Sequence, residues 1–310
     1  MSIVEKALQK AQAKTDRTVG RDASAPIAPE VHDVDHAPPP PSRGTVARPT
    51  VESAARRATP PRGGTVVLDF VQLRQDGRLA PEALAHQTEE EFRRIKWPLL
   101  NAIAHREGAL PAANNLVLVT SAIPGEGKTF NALNLALSIA RDRDLEVLLV
   151  DGDVAQPSLT ASLGLTGRPG ITNLLRDPTI ALHDIVYSTN VPQLEVIPAG
   201  ARQENAPELL ASARMAMIVD QLCARVSPGV VIVDSPPVLA TNEAQVITRY
   251  AGQVLMVVRA DSTEQRVLAE ALSLIDRSRP VSMVLNRVEP SLVSRYYSHY
   301  YYGYGRSGTR

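Results

Sequence analysis

From residue 115 to residue 288 of this 310-residue chain, short apolar runs alternate with longer segments of helical pattern. The runs NLVLVT, EVLLVD, GVVIVD and QVLMVV are apolar almost throughout instead of alternating with polar residues. Such runs are typical of parallel strands that are covered on both faces. The segments between them, including NALNLALSIA and EQRVLAEALSLIDRS, carry apolar residues at helical spacing. The alternation predicts a doubly wound α/β domain with a mostly parallel sheet.

The flanking segments differ from this pattern and define the predicted domain organisation. The first residues, MSIVEKALQKAQAK, place apolar side chains at three- and four-residue spacing, which predicts a short amphipathic helix that either docks or frays. The next stretch is rich in Pro, Ala, Arg and Asp and lacks apolar periodicity, as disordered linkers do. The predicted units are a helix at 1–17, a linker at 18–64, an α/β domain at 65–290 and a flexible tail at 291–310.

Composition limits which kinds of partner and which cellular compartment can be expected for this chain. The formal net charge is zero, so nothing at the level of the whole chain favours nucleic acid, and we predict no nucleic-acid partner. Cys223 is the single cysteine, in a helix predicted at 209–226, and it cannot form an intramolecular disulfide, which fits a reducing compartment. No apolar run approaches the roughly 18 residues that a membrane helix needs. We therefore expect a cytoplasmic protein that reaches a membrane only through a partner.

A phosphate-binding loop is predicted at residues 122–129, AIPGEGKT, directly after the run NLVLVT and at the start of a helix. Its glycines let backbone N–H groups curl around phosphates, and the helix N-terminus adds partial positive charge. Lys128 is expected to neutralise the β- and γ-phosphates of ATP, and the Thr129 hydroxyl to bind Mg²⁺. Ala122 replaces the usual first glycine, at a small expected cost because it only starts the loop. The predicted nucleotide contacts are Pro124, Gly125, Glu126, Gly127, Lys128, Thr129 and Phe130.

Polar residues end three of the apolar runs. Asp151 and Asp153 follow one run, and Asp234 follows another. Ligands of open α/β sheets bind outside the carboxyl ends of the strands, and a carboxylate there can hold Mg²⁺ or its water shell. We predict Thr129, Asp151 and Asp234 as the metal site. Asn286 ends the run VSMVLN, where it either contacts the adenine or caps the strand.

Six of the eight tyrosines gather near the C-terminus, in RYYSHYYYGYGRSGTR. A folded core would distribute them, whereas glycines and arginines predict an exposed tail whose phenols reach the site of the same chain or of a neighbour. The alternative is an aromatic tail that serves interaction only. The candidate phosphorylation sites are Tyr296, Tyr297, Tyr300, Tyr301, Tyr302 and Tyr304.

The order of P-loop, Asp-x-Asp and Asp-Ser-Pro-Pro resembles that of the bacterial tyrosine kinases, whose fold is related to the partitioning ATPases. The resemblance covers nearly the whole chain, through MSIVEKAL, LRQDGRLAPE, EEFRRIKWPLL, PGEGKT, VLLVDGD, NAPELLAS, DSPPVLATNEA, QVLMVVRAD and the Tyr-rich end. These segments are similar to the tyrosine autokinases of exopolysaccharide and exosortase (PEP-CTERM) loci. Partitioning ATPases carry a signature lysine at the position of Ile123, so this chain departs from them.

The resemblance implies an ATP-dependent protein-tyrosine autokinase that regulates exopolysaccharide production. Asp151 and Asp153 would form the second Walker-type motif, and Asp234 the Walker B residue. We expect Asp151 to orient the phenol and accept its proton, while Lys128 and Mg²⁺ stabilise the transferred group. Ala155 stands where family members often carry arginine, which puts any contact of that arginine in doubt. The alternative function is a switch ATPase without kinase activity that assembles with a membrane partner.

The resemblance also implies partners. Glu90, Arg93 and Lys96 match a helix that such kinases use for self-association, with Lys96 in place of the commoner arginine. Trp97 is interpreted as a packing residue of this helix, which Pro98 can bend. The implied partners are further copies of this chain, an inner-membrane polysaccharide chain-length determinant protein that activates the kinase, and a tyrosine phosphatase.

Overall fold

The computed structural model describes residues 61–104, 115–203 and 205–288. The predicted N-terminal helix at 1–17, nearly all of the predicted linker and the whole tyrosine tail lie outside these residues. The predictions made for them therefore stay predictions.

The described residues contain one eight-stranded sheet in the order β1-β4-β5-β3-β6-β2-β7-β8. Its neighbouring strands are parallel except for the pair β4 and β5. The strands are β1 (Gly64–Val66), β2 (Leu116–Ser121), β3 (Glu146–Asp151), β4 (Tyr187–Thr189), β5 (Leu194–Ile197), β6 (Gly229–Asp234), β7 (Gln253–Arg259) and β8 (Val281–Asn286). The predicted α/β class with a mostly parallel sheet is confirmed.

Helices precede or connect most of these strands. They are α1 (Phe70–Gln75), α2 (Ala85–Ala104), α3 (Lys128–Ala140), α4 (Ser158–Ser162), α5 (Ile171–Arg176), α6 (Ala206–Leu210), α7 (Ala213–Arg225), α8 (Asn242–Thr248) and α9 (Gln265–Ser273). Two short 3₁₀ turns lie at Glu82–Leu84 and Leu182–Asp184. None of the helices in the described part of the chain is long and apolar enough to cross a bilayer.

The central strands are apolar because both faces of the sheet are covered. Every residue of β2 is buried, as are all but the first residue of β3 and β6. One face packs against α2 and α3, in a core that includes Phe92, Leu99 and Leu133. The opposite face packs against α5 to α9, in a core that includes Ile218 and Ala271. Continuous apolar runs bury side chains on both faces of the sheet, which is the doubly wound arrangement.

The boundaries of several elements differ from the sequence predictions. Ordered backbone pairing begins within the predicted linker, since β1 starts at Gly64 and the N–H of Arg62 donates to the carbonyl of His183 at 2.7 Å. The single helix predicted at 209–226 is wrong, because the chain there forms α6 and α7. Ser212 separates them, and its hydroxyl caps α7 by accepting from the N–H of Met215. Serine at an N-cap satisfies an amide that has no partner in the helix.

Two predictions for α2 are corrected by the burial of its side chains. Lys96 is only 7% exposed, and its ammonium donates to the Ser138 carbonyl at 2.9 Å and to an Asp142 carboxylate oxygen at 2.8 Å. It therefore anchors α2 to the end of α3, instead of presenting a charge for self-association. Trp97 is 65% exposed, so its interpretation as a packing residue within the chain is wrong. The helix continues through Pro98 to Ala104.

Candidate active site

The P-loop lies between the buried end of β2 and the first turn of α3. Gly125 has φ 83° and Gly127 has φ 98°, values that favour glycine because other residues meet steric resistance there. A Cβ at Gly127 would also lie 2.1 Å from the amide nitrogen of Asn286. Lys128 and Thr129 follow as the first two residues of α3. The glycines and the helix start therefore have the conformation and the order along the chain that a phosphate-binding loop requires.

Ala122, in place of the usual first glycine, fits the loop without strain. Its side chain is fully buried, and it is absent from the described residues with positive φ. Its carbonyl accepts from the N–H of Leu239, which joins the start of the loop to the segment after β6. The low cost expected for this substitution agrees with that conformation.

The Lys128 ammonium makes an ion pair inside the site. Its Nζ lies 2.8 Å from an Asp153 carboxylate oxygen, and both side chains are nearly buried. Burial lowers the pKa of Lys128, but the charges of Asp234, Asp153 and Asp151 outweigh it and raise the pKa. Lys128 is therefore charged, and a phosphate that binds it must compete with Asp153.

Asp151 and Asp234 stand side by side at the ends of two adjacent parallel strands. The register of β3 and β6 pairs Asp151 with Asp234 directly, and neither residue is exposed. Burial and the charge of Asp234 raise the pKa of Asp151 to about 7. Burial also raises the pKa of Asp234 to about 6, against the opposing effects of the Lys128 charge and the nearby Thr129 hydroxyl. The sequence prediction that these aspartates converge at one edge of the sheet agrees with this geometry.

The two carboxylates differ in how their oxygens are used. Asp151 accepts hydrogen bonds from the N–H of Asp153 at 3.1 Å, and from the N–H and hydroxyl of Thr160 at 2.8 and 2.6 Å. Both of its oxygens therefore already accept hydrogen bonds within the protein. The roles predicted for Asp151, as a direct metal ligand and as the acceptor of the phenol proton, would have to compete with these hydrogen bonds, and they stay predictions.

Asp234 has the opposite character. Neither of its buried carboxylate oxygens has a hydrogen-bond partner among the described residues. The Thr129 hydroxyl is close enough to oppose the rise of the Asp234 pKa, although its hydrogen bond in the structure is with the Ser158 hydroxyl, at 3.1 Å. A buried carboxylate without a partner is costly unless a ligand satisfies it. The donor set of Asp234 and Thr129 therefore fits Mg²⁺, which binds one or two protein oxygens and completes its shell with water and phosphate.

Three contributors to the site were missed by the sequence reasoning. Thr160 holds Asp151, and Ser158 contacts Thr129; both lie in α4, a five-residue helix too short to give a periodic signal. Arg78 precedes α2 in sequence, and its Nε donates to the Ser162 hydroxyl at 2.8 Å. The charge of Arg78 also lowers the pKa of Asp234. Only the position of Arg78 in the segment LRQDGRLAPE, which carries the family resemblance, pointed to it.

Two predicted nucleotide contacts have clear partners within the protein. The Asn286 amide donates to the carbonyl of Glu126 at 2.8 Å, so it braces the P-loop, a role that neither of its predicted alternatives included. The Phe130 ring packs against Phe92 of α2, with ring centroids 6.1 Å apart. An open groove of about 710 Å³ runs from Gly127 and Asn131 between α2 and β8. Asn286 lines this groove beside the P-loop.

The fold and this site define a P-loop nucleotide-binding protein. Residues 116–280 match a family model described as an AAA domain. The chain is 31% identical over 189 residues to the tyrosine-protein kinase YwqD of Bacillus subtilis, which covers 60% of this chain and 77% of the relative. It is 33% identical over 196 residues to the putative tyrosine-protein kinase EpsB of Ralstonia nicotianae, which covers 63% of this chain and 25% of that relative. The chain belongs to the bacterial tyrosine-kinase family.

Solved structures agree with this assignment. The crystal structure of the VpsO kinase domain is 30% identical, with a TM-score of 0.56, and covers 67% of this chain and 100% of its own. The chimerical protein CapA2B2 is 27% identical, with a TM-score of 0.59, and covers 74% of this chain and 94% of its own. The chain spans about a quarter of the length of the first curated relatives that it matches.

The raised pKa values predict how stability depends on pH. The folded state holds the protons of Asp151 and Asp234 more tightly than the unfolded state, where the ordinary value is 3.8. These carboxylates therefore lower the free energy of unfolding as pH rises from about 4 to about 7. Asp234→Asn removes one of the charges. Between pH 4.5 and 7.5, we expect wild-type protein without nucleotide to lose about 1–3 kcal/mol relative to this variant.

Urea denaturation at the two pH values measures this difference. For each protein, the free energy of unfolding at pH 7.5 is subtracted from that at pH 4.5. This difference cancels any effect of the new amide that does not depend on pH. Asp144→Asn, at an exposed position before β3, serves as the control and should follow the wild type. Parallel stability curves for Asp234→Asn and wild type would contradict the prediction.

Proposed function

We propose that the protein is an ATP-dependent protein-tyrosine kinase that phosphorylates the tyrosines of its own C-terminal tail. The observation that carries the proposal is the ion pair of Lys128 with Asp153, beside the unpaired carboxylate of Asp234 at the P-loop. The relatives EpsB and YwqD, which are named as tyrosine-protein kinases, support kinase chemistry for such a site. The proposed regulatory role in exopolysaccharide production rests on the sequence resemblance.

In the proposed reaction, the phosphates of ATP bind the P-loop N–H groups, and the γ-phosphate displaces Asp153 from Lys128. The ammonium then stabilises negative charge on the transferred group, the main protein contribution in phosphoryl transfer. Thr129 and Asp234 would hold Mg²⁺, which neutralises charge on the β- and γ-phosphate oxygens when bound. The groove between α2 and β8 has room for the nucleoside, with Asn286 at its entrance.

Asp153 is the better candidate for the proton acceptor than Asp151. Its Oδ2 makes the ion pair with Lys128, while its Oδ1 accepts from the N–H of Gln156 at 3.0 Å. If Lys128 moves to the phosphate, Oδ2 of Asp153 becomes free. In Asp151, by contrast, Oδ2 still accepts from Thr160 and Oδ1 from the N–H of Asp153. A phenol with a pKa near 10 needs an acceptor beside it at neutral pH. The proton would therefore pass from the tyrosine hydroxyl to Asp153 as the new oxygen–phosphorus bond forms, while the bond between the γ-phosphorus and its bridging oxygen breaks and ADP leaves.

Phosphate mapping by mass spectrometry tests the proposed function. After incubation of the full chain with Mg-ATP, we expect phosphate on tyrosines between Tyr296 and Tyr304. Lys128→Met should reduce the rate by at least about 100-fold, since it removes a charge that stabilises the transferred group. ATP hydrolysis without phosphotyrosine, in the presence of the membrane partner as well, would support a switch ATPase instead.

Matched amide variants separate the two aspartates of the Asp-x-Asp motif. Asp153→Asn should lower the single-turnover rate at saturating ATP by about 10²- to 10⁴-fold. The remaining rate should rise with pH toward the pKa of the phenol. At pH 5, where the raised pKa leaves Asp151 mostly protonated, Asp151→Asn should instead lower the free energy of unfolding by about 1–3 kcal/mol, because it disturbs buried hydrogen bonds. Its loss of rate at neutral pH should be smaller than that of Asp153→Asn. A large loss of rate in Asp151→Asn at unchanged stability would return the acceptor role to Asp151.

We further propose that the chain self-associates through the exposed face of α2. Arg93 is exposed and pairs with Glu90 of the same helix at 2.7 Å, and Trp97 presents its ring one turn further along. Lys96 faces the other way and is engaged within the chain. The proposal includes two further partners: an inner-membrane chain-length determinant protein that activates the kinase, and a tyrosine phosphatase that opposes it. It places the chain in the cytoplasm, held at the inner membrane by the activator. These partners rest on the sequence resemblance.

Light scattering on variants of two α2 residues tests this surface. Arg93→Glu should shift the full chain toward the monomer, because it replaces an exposed cation by a like charge beside Glu90, while urea denaturation stays near wild type. Lys96→Met should lower the free energy of unfolding by about 1–3 kcal/mol, because it leaves the partners of the ammonium unsatisfied. An unchanged mass distribution in Arg93→Glu would remove this face of α2 from the proposed interface.

A further inference from the structure

Glu126 is an acidic residue of the P-loop whose carboxylate does not face the phosphate site. The residue is 1% exposed. One carboxylate oxygen, Oε2, accepts from the N–H of Ile123 at 2.9 Å, within the loop itself. The other, Oε1, accepts from the Thr263 hydroxyl and, at 3.4 Å, from the N–H of Arg259. A side chain expected to contact nucleotide thus joins the P-loop to the segment between β7 and α9.

The backbone of Glu126 has a separate long-range partner. Its carbonyl accepts from the side-chain amide of Asn286, at the end of β8. Glu126 therefore connects the P-loop to the ends of both β7 and β8. Lys128 and the three aspartates occupy the opposite side of the loop, toward β3 and β6. The loop is held from two directions, with charged groups on one side and the Glu126 contacts on the other.

The two segments that meet Glu126 each contain a non-glycine residue in the left-handed region. Asp261 has φ 55° and Arg287 has φ 57°. Such residues have a conformational cost that persists only where surrounding contacts determine the backbone, and they cluster at ligand sites. Asp261 lies between Arg259 and Thr263, and Arg287 directly follows Asn286. The contacts of Glu126 are therefore placed where they can hold both strained turns.

We propose that Glu126 is a positioning residue that couples nucleotide binding to the exposed segment at residues 259–263. Its carboxylate holds the P-loop near the conformation that binds phosphate, which lowers the ordering cost of binding. The remaining order that nucleotide adds to the loop is transmitted to this segment through Thr263. Preorganisation of a binding loop raises affinity by lowering the ordering cost of binding. The inference rests on the proposed nucleotide site, but it does not depend on transfer of phosphate to tyrosine.

The segment at 259–263 is also open to solvent. Arg259 and Asp261 are exposed, whereas Glu126 lies beneath them. A ligand or protein that contacts this segment would act on the P-loop through one carboxylate. By linkage, ordering of either site favours ordering of the other.

Substitution of Thr263 tests the coupling without altering the P-loop. Thr263→Val keeps the shape of the side chain but removes the hydroxyl donor, whereas Thr263→Ser keeps the donor. The matched control is Thr248→Val, which removes a buried hydroxyl that donates to the Gln245 carbonyl within α8. The measurements are the affinity of the full chain for MgADP by calorimetry, amide hydrogen exchange at residues 259–263 with and without MgADP, and unfolding in urea.

We expect Thr263→Val to bind MgADP about 10-fold more weakly, the change that follows from loss of one hydrogen bond to a charged group. Thr263→Ser and Thr248→Val should bind as the wild type does. MgADP should slow exchange at residues 259–263 in the wild type and not in Thr263→Val. Equal affinity and equal protection in Thr263→Val would overturn the proposal, as would equal weakening in Thr248→Val.

The same measurements distinguish this proposal from the kinase proposal. Wild-type protein that binds MgADP and shows the expected coupling, yet forms no phosphotyrosine with Mg-ATP, would refute the kinase function and leave the role of Glu126 in place. Wild-type protein that binds no MgADP would refute both.

Discussion

The fold concentrates buried negative charge around one ammonium. Asp151, Asp153 and Asp234 end two neighbouring strands or follow directly after them, and Lys128 of the next layer pairs with one of the three. Lys128 and the charge of Arg78, which also acts on Asp234, do not fully compensate three buried carboxylates. Burial therefore raises the pKa of both Asp151 and Asp234. The site is thus built at a cost in stability that a cation and a nucleotide can relieve.

The surrounding structure decides which of these carboxylates stays available. Helix α4 begins at Ser158, five residues after Asp153, and the N–H and hydroxyl of Thr160 in this helix donate back to Asp151. After Asp234, the N–H of Ser235 donates to the Val119 carbonyl, and the next two residues are prolines, which have no N–H to offer. The oxygens of Asp234 therefore remain without a partner among the described residues. Local sequence after each strand therefore gives two adjacent aspartates different chemistry. Asp151 supports the site, and Asp234 is left open to a ligand.

Much of this arrangement could be predicted from the sequence, because it depends on periodicity and on residues close together in the chain. Buried parallel strands give continuous apolar runs, and the P-loop is a contiguous motif between a strand and a helix. The partners of Asp151, Glu126 and Lys96 could not be predicted in the same way. They lie 9, 137 and 46 residues away, at Thr160, Thr263 and Asp142, and only the packing of the elements brings them together.

Short elements set a second limit on prediction. Strand β4 has three residues and pairs antiparallel with β5, too few for an alternation of polar and apolar side chains to be seen. The break between α6 and α7 depends on one cap, Ser212, within a sequence whose apolar spacing continues across it. Lys96 likewise matches a family motif for self-association, but the packing of α2 against α3 buries it. When tertiary contacts determine the role of a residue, a sequence motif predicts the role that is common in the family, and the role in an individual chain can differ.

The position of β8 bears on which tyrosines can reach the site. Because β8 runs parallel to β7, the chain leaves the sheet at the same edge that carries Asp151 and Asp234. Three strand spacings separate β8 from β6 in the sheet order, which is about 14 Å at the usual distance between strands. The ten residues from Asn286 to Tyr296 can span about 33 Å when extended. Reach therefore permits transfer within one chain. If copies associate through α2 as proposed, any preference for a neighbouring copy would come from the geometry of that interface.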